Sequence, residues 1–189
     1  MKIKGTEFLK PIHLACSNDD LRPVLSLIEI KDNIATATNA HIMIRVNLAK
    51  TTELTEDTLK ILNGKYIHKN VWKEIWRCDK LEFTETNIIC HKQDVKYTFD
   101  YSQPTMSFAN VEGLVQIIEE AGVQTREMIC YNYAFIKTIQ NIFKTPLVFK
   151  FYGKEKGTIV FSENNVNMYA VLMHINQNGN EEQYNIKLF

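Results

Sequence analysis

Residues 21–46 read LRPVLSLIEIKDNIATATNAHIMIRV, and the fold is decided there. Three apolar runs, Val24–Ile30, Ile34–Thr38 and His41–Val46, are rich in Val, Ile and Thr. Lys31-Asp32-Asn33 separates the first run from the second, and Asn39-Ala40 separates the second from the third. Each run is too short for an ordinary helix. Branched side chains suit a pleated sheet surface, and Asn and Asp suit turns, so the stretch predicts three consecutive strands.

Working outward, Met1–Gly5 predicts a short strand and Thr6 a helix cap. Phe8, Leu9, Ile12 and Ala15 form the apolar face of a helix that ends near Cys16-Ser17-Asn18, with Pro11 inside its first turns. The order is strand, helix, three strands. After a polar connection at 50–63, with a helical turn at Asp57–Leu62, the same order returns. Lys65–His68 is a strand, and Asn70–Cys78 a helix with Trp72, Ile75 and Trp76 on its buried side. Leu81–Thr84, Ile88–Lys92 and Val95–Tyr101 are strands. A connecting segment carries an amphipathic helix at Val111–Ala121, with Gly122 placed to end it. A third copy follows, with strand Glu127–Tyr131, helix Tyr133–Lys144 capped by Asn132, and strands Leu147–Tyr152, Thr158–Ser162 and Met168–Ile175. The fold class is therefore α+β, three β-α-β-β-β units with helices on one face of antiparallel sheets. One such unit cannot bury its own sheet, so units must pair. Residues 1–107 are expected to form a complete two-unit domain, 108–122 a connecting segment, 123–176 a half-domain and 177–189 a flexible C-terminal tail. The third unit needs a partner within this chain or on another.

The chain has 189 residues, 45% hydrophobic and 23% charged, with 22 basic and 22 acidic side chains. A formal charge of zero makes no global case for a polyanion, so only the distribution of charge can argue for one. Cys16, Cys78, Cys90 and Cys130 form no CxxC pair, which predicts reduced thiols and a cytoplasmic protein. The N-terminus MKIKGTEF reads as no signal peptide, and no apolar run is long enough for a membrane span.

Several segments resemble the bacterial DNA polymerase III β subunit, the sliding clamp. Thr38-Asn39-Ala40-His41-Ile42 is similar to that family's Thr-Asp-Gly-His-Arg turn and follows Ile28-Glu29-Ile30-Lys31-Asp32, which is typical of the same hairpin. Phe108-Ala109-Asn110-Val111 resembles its Phe-Pro-Asn/Asp-Tyr segment. Tyr131-Asn132-Tyr133-Ala134-Phe135 resembles its Phe-Asn-x-x-Tyr helix start, and Tyr169–His174 its final Tyr-Val-Val-Met-Pro strand. Ala40, Ile42, Ala109 and His174 depart from the family's Gly, Arg, Pro and Pro. The family has six units per chain, against three here. Four chains in a ring, two chains pairing their third units about a twofold axis, and a monomeric derivative are all consistent with that number.

The helices carry Lys10, then Lys69, Lys73 and Arg77, then Lys137 and Lys144, while acids gather at Glu53, Glu56, Glu112, Glu119, Glu120 and Glu181-Glu182. The resemblance implies that these cations hold duplex DNA by its phosphates without reading sequence; the alternative is plain solvated helix faces. It also implies a hydrophobic cleft for polymerase or clamp-loader peptides. The cleft would be lined by Leu25, Thr38, Ala40, His41, Ile42, Met43, Ala109, Leu114, Val171 and Met173. The alternative there is core at a domain seam. The tail Asn185–Phe189 resembles the Gln-Leu-x-Leu-Phe peptide such clefts take, which predicts self-docking, against a free terminus. No catalytic spacing, phosphate loop or GxSxG is present, so no enzyme activity and no cofactor is expected. His13-x-x-Cys16 and Cys90-His91 lie on different elements, so no metal site is expected either. The sequence thus predicts a homo-oligomeric DNA replication and processivity factor, or alternatively a monomeric peptide-binding module that competes for clamp partners without encircling DNA.

Overall fold

The computed structural model describes residues 6–123, 129, 131–152 and 157–174. The strand expected at Met1–Gly5, most of that at Glu127–Tyr131, and the tail lie outside them. α1 (Thr6–Leu9) runs directly into a 3-10 helix at Lys10–Ala15. Pro11 removes a backbone donor in that segment, which favours the tighter turn over a continued α-helix. A second 3-10 turn, Pro23–Ser26, replaces the expected start of the first strand, because Pro23 presets the turn and Leu25 N–H donates to Arg22 O at 3.0 Å.

β1 (Leu27–Lys31), β2 (Ile34–Thr38) and β3 (Ile42–Asn47) then follow as antiparallel neighbours. Asp32 and Asn33 both take left-handed backbone (φ 50° and 63°), which suits the two-residue hairpin between β1 and β2. Short helices α2 (Leu48–Thr51) and α3 (Glu56–Leu62) lead to β4 (Lys65–His68) and α4 (Lys69–Ile75). β5 (Lys80–Phe83), β6 (Asn87–Lys92) and β7 (Val95–Asp100) complete the second unit. α5 (Val111–Glu120) occupies the connecting segment. The third unit comprises α6 (Tyr133–Phe143), β8 (Leu147–Phe151), β9 (Thr158–Ser162) and β10 (Asn165–Leu172), the last irregular between Asn165 and Tyr169.

The strands form two antiparallel sheets. One has the order β4-β1-β2-β3-β10-β9-β8, the other β5-β6-β7. The third unit therefore joins the first within the chain, edge to edge, through β3 and β10. Side-chain alternation sends Ile42, Ile44 and Val46 of β3, with Leu172, Ala170 and Met168 opposite them, to the helix side. There they meet Leu9 and Ile12, Trp72 and Ile75, and Ile139 and Phe143, one core fed by all three units. Trp72 is fully buried and its indole N–H donates to Leu9 O at 2.8 Å, which ties α4 to the first helix.

Candidate functional site

Two features hold most of the residues named from the sequence: a row of helices and the seam between β3 and β10. The 3-10 helix Lys10–Ala15 packs against both α4 and α6. His13 is held below its ordinary pKa chiefly by burial and further by the nearby charges of Lys73, Arg77 and Lys10. Its ring Nδ1 lies 2.6 Å from Lys10 O. Three expected phosphate contacts are thus in one place. Lys73 is exposed. Arg77 pairs with Glu74 at 2.7 Å on the helix surface, where such a pair is weak and exchangeable. Lys69 differs: its ammonium bonds Ser17 O and Asn18 Oδ1, so it fastens α4 to the preceding loop. Lys137 and Lys144 are exposed on α6, and Lys144 ends the helix in left-handed backbone (φ 56°).

At the seam, Met43 lies opposite Val171 and Arg45 opposite Tyr169, on the sheet face away from the main core. Thr38, opposite Met43 on β2, shares that face. Met43, Val171, Ile159 and Tyr152 are buried beneath α5, which contributes Val111 and Ile118 fully and Leu114 and Val115 partly. Met173 packs at the rim, and its N–H donates to His41 O at 3.0 Å. Phe108 joins this cluster to a neighbouring one holding Leu25. Met43, Leu114, Val171 and Met173 are therefore brought together, with Thr38 and Leu25 beside them. Ile42 belongs to the main core, and His41 stacks on Phe135 of α6 at 5.1 Å, so neither side chain shares the face of Met43. For Ile42 the reason is the two-residue period of the strand, since neighbours in sequence face opposite ways; His41 lies in the turn before β3, outside that alternation. Ala109 is exposed ahead of α5, and Ala40 sits in the turn.

That turn is held by side-chain acceptors. Thr38 Oγ1 donates to Ile42 O at 2.8 Å and accepts Ala40 N–H at 3.1 Å, while Asn39 Oδ1 accepts both His41 and Ile42 N–H at 2.9 Å. Ala40 takes φ 74°, a conformation that suits glycine and strains alanine.

Arg45 was missed by the sequence reading. It is nearly buried, donates to Tyr169 Oη at 2.9 Å and pairs with Glu112 Oε1 at 2.6 Å, which clips the N-terminus of α5 to the seam. An arginine inside an otherwise apolar strand was the available signal. Burial pushes the thiols of Cys16 and Cys90 up to about 12, and no three His, Cys, Asp or Glu side chains cluster as metal ligands would among the described residues. No helix among those residues is long and apolar enough to cross a membrane.

This architecture defines a class: the chain is an α+β protein with the bacterial sliding-clamp fold. It is similar to the DNA polymerase sliding clamp of Bacillus subtilis, with a TM-score of 0.62 and 12% identity, over 93% of this chain and 64% of that one. It is similar also to the DNA polymerase III subunit beta of Pseudomonas aeruginosa (TM-score 0.63, 11% identity, 93% of this chain, 65% of that one). The H. pylori beta clamp, solved with diflunisal, matches at 0.63 and 9% identity, over 93% and 67% of the two chains. The chain thus spans a little under two thirds of the B. subtilis and P. aeruginosa chains. No family model matches the sequence, and a comparison with curated proteins finds no match.

Proposed function

We propose that this protein is a non-enzymatic, cytoplasmic, clamp-like replication and processivity factor that self-associates, lays its helix row on duplex DNA and takes partner peptides at the seam. In this reading residues 1–107 act as a complete domain, 108–122 as its connection and 123–176 as a half-domain. The observation that carries the DNA part is the gathering of Lys10, Lys73 and Arg77 around His13, with Lys137 on the next helix of the row. Diffuse cations on rigid helices attract phosphates without fixing a register, which is what a sliding contact requires. The test is duplex binding by Lys73→Glu/Arg77→Glu/Lys137→Glu against the parent at two salt concentrations. The expected result is salt-sensitive, sequence-independent binding by the parent and its loss in the variant. Intact binding in the variant removes these helices from the role.

The second reading is a monomeric peptide module that regulates or competes for clamp partners without encircling DNA. Leu114 and Met173, which stay partly exposed at the rim of the seam that α5 covers, favour it. A monomer in solution that binds a labelled Gln-Leu-x-Leu-Phe peptide but no duplex selects this reading over the first. Self-docking of Asn185–Phe189 is tested by deleting 180–189 and measuring the same peptide's affinity; an unchanged value sinks that part.

A further inference from the structure

α5 stands where a peptide at the seam would have to lie. Val111, Leu114, Val115 and Ile118 follow the i, i+3, i+4, i+7 spacing of one helix face, and they pack with Met43, Ile159 and Val171. Met43, Ile159 and Val171 keep 4%, 4% and 1% of their surface exposed, so a peptide reaches them only where α5 has left. The apolar floor that would receive a peptide's anchors is already taken by a segment of the same chain.

The hold on α5 is local. No backbone hydrogen bond joins it to a strand among the described residues. Polar ties run through Glu112, to Arg45 at 2.6 Å and to Lys31 at 4.0 Å. The chain is pinned on either side of the helix instead: Ser102 bridges Tyr66 before it, and Val123 bridges Tyr152 after it. Residues 103–122 therefore form a strap that lifts without opening either sheet. Because its ends stay in place, it also closes again at high effective concentration.

Arg45 sets what a replacement must carry. Its side chain is nearly buried, it bonds Tyr169 Oη and Glu112 Oε1, and its Nε has no acceptor among the described residues. When α5 lifts, Glu112 leaves with it. A segment that covers the guanidinium again without an acceptor leaves a buried charge unpaired, whereas one that brings a carboxylate restores a charge-assisted bond. Along β3, Arg45 lies two residues from Met43 on the same face, a step of about 6.8 Å. An extended peptide with an acid two residues before an apolar anchor matches that step.

We propose that α5 is a displaceable strap that holds the seam closed, and that the partner segment which lifts it sets apolar anchors on Met43 and Val171 and a carboxylate on Arg45 in place of Glu112. Peptide binding at the seam, as in the proposed function, is the reading on which this rests, with its regulation and its partner's chemistry added.

The experiment titrates labelled Glu-Gln-Leu-Ser-Leu-Phe and Gln-Gln-Leu-Ser-Leu-Phe peptides into the full chain, with hydrogen exchange read on the same samples. Only the open fraction binds, so apparent affinity follows α5 opening. Ile118→Ala is expected to tighten the Glu peptide about 30-fold, and Asn110→Ala, which removes the cap on Gly113 N–H, about fivefold. Saturating peptide is expected to speed exchange of the α5 amides in the parent and to leave β6 unchanged. The Glu peptide is expected to bind about tenfold tighter than the Gln peptide, and Arg45→Gln to bring the two level. A Glu peptide that binds neither the parent nor an Ile118→Ala chain whose β6 stays protected overturns the peptide reading and the strap together. Equal affinity for the parent and both helix variants, or α5 amides that slow on binding, overturns the strap alone. Affinity that follows α5 opening with no preference for the Glu peptide overturns the role of Arg45.

Discussion

Ile118→Ala should release α5 from the seam, and Glu112→Gln should not. Ile118 has no exposed surface and sits with Val111 over Met43, Ile159 and Val171. Truncating a buried isoleucine to alanine costs about 2–5 kcal/mol through lost burial and the cavity left behind. α5 is ten residues long, too short to persist as a helix without its docking surface. The Glu112 side chain is about half exposed (52%) although Arg45 is nearly buried, so its ion pair contributes under about 1 kcal/mol after solvent screening. Native-state hydrogen exchange resolves the two. With 2 kcal/mol lost, the α5 amides of Ile118→Ala should open about 30-fold more often, while Glu112→Gln stays within about fivefold of the parent. β6 lies in the other sheet and serves as the internal control. If Ile118→Ala leaves α5 protection unchanged, or Glu112→Gln matches it, the reasoning that apolar burial holds this helix down is refuted. An equal loss at β6 would show global rather than local release, and would refute it equally.

Four further outcomes follow from the same geometry. His13 and His68 are both held below their ordinary pKa chiefly by burial, so the folded chain binds fewer protons than the unfolded chain. Their stabilising contribution is present above about pH 6.5 and is lost as pH falls through their folded values, so Tm should drop on acidification below that point and drop less in His13→Gln. Because Lys10, Lys73 and Arg77 also depress His13, docking phosphate there should raise its pKa, and duplex affinity should rise between pH 7.5 and 6; a flat profile would count against DNA at this spot. Ala40→Gly relieves a left-handed alanine, worth about 1–2 kcal/mol, against about 0.5–1 kcal/mol of added chain entropy, so chemical denaturation should show equal or higher stability and not lower. Cys16 and Cys90, both buried with thiols raised to about 12, should remain unmodified when the native protein is alkylated at pH 8 and mapped by mass spectrometry.

Local elements were legible because local chemistry sets them. The β1–β2 hairpin follows from Asp32-Asn33, and α6 from Asn132, whose Oδ1 accepts Ala134 N–H at 2.9 Å. Where neighbouring signals conflicted, reading faltered. Val24 and Leu25 look like strand residues, but Pro23 turns them into a 3-10 segment and they pack as a separate small cluster. The helix-borne cations were legible, since charge on helices is visible in sequence. Lys69 was not separable from Lys73 by pattern, because its bonds to Ser17 and Asn18 cross some fifty positions of chain. At the seam, Met43, Leu114, Val171 and Met173 could be named from motif resemblance. Their strand phases could not be fixed that way, which is why Ile42 was grouped with Met43 although it faces the other side.

The sequence by itself determined most of the local elements: the helix followed by three strands that recurs three times among the described residues, and the apolar faces that must be buried. These depend on turn chemistry and side-chain period, which act over a few residues. Only the tertiary structure decided how the units join. The pairing of β3 with β10, which makes one seven-stranded sheet from the first and third units, links segments more than a hundred residues apart. So does the contact of Arg45 with Tyr169. No local propensity encodes such contacts. They arise because two apolar strand edges and one amphipathic helix lower their free energy most by covering one another.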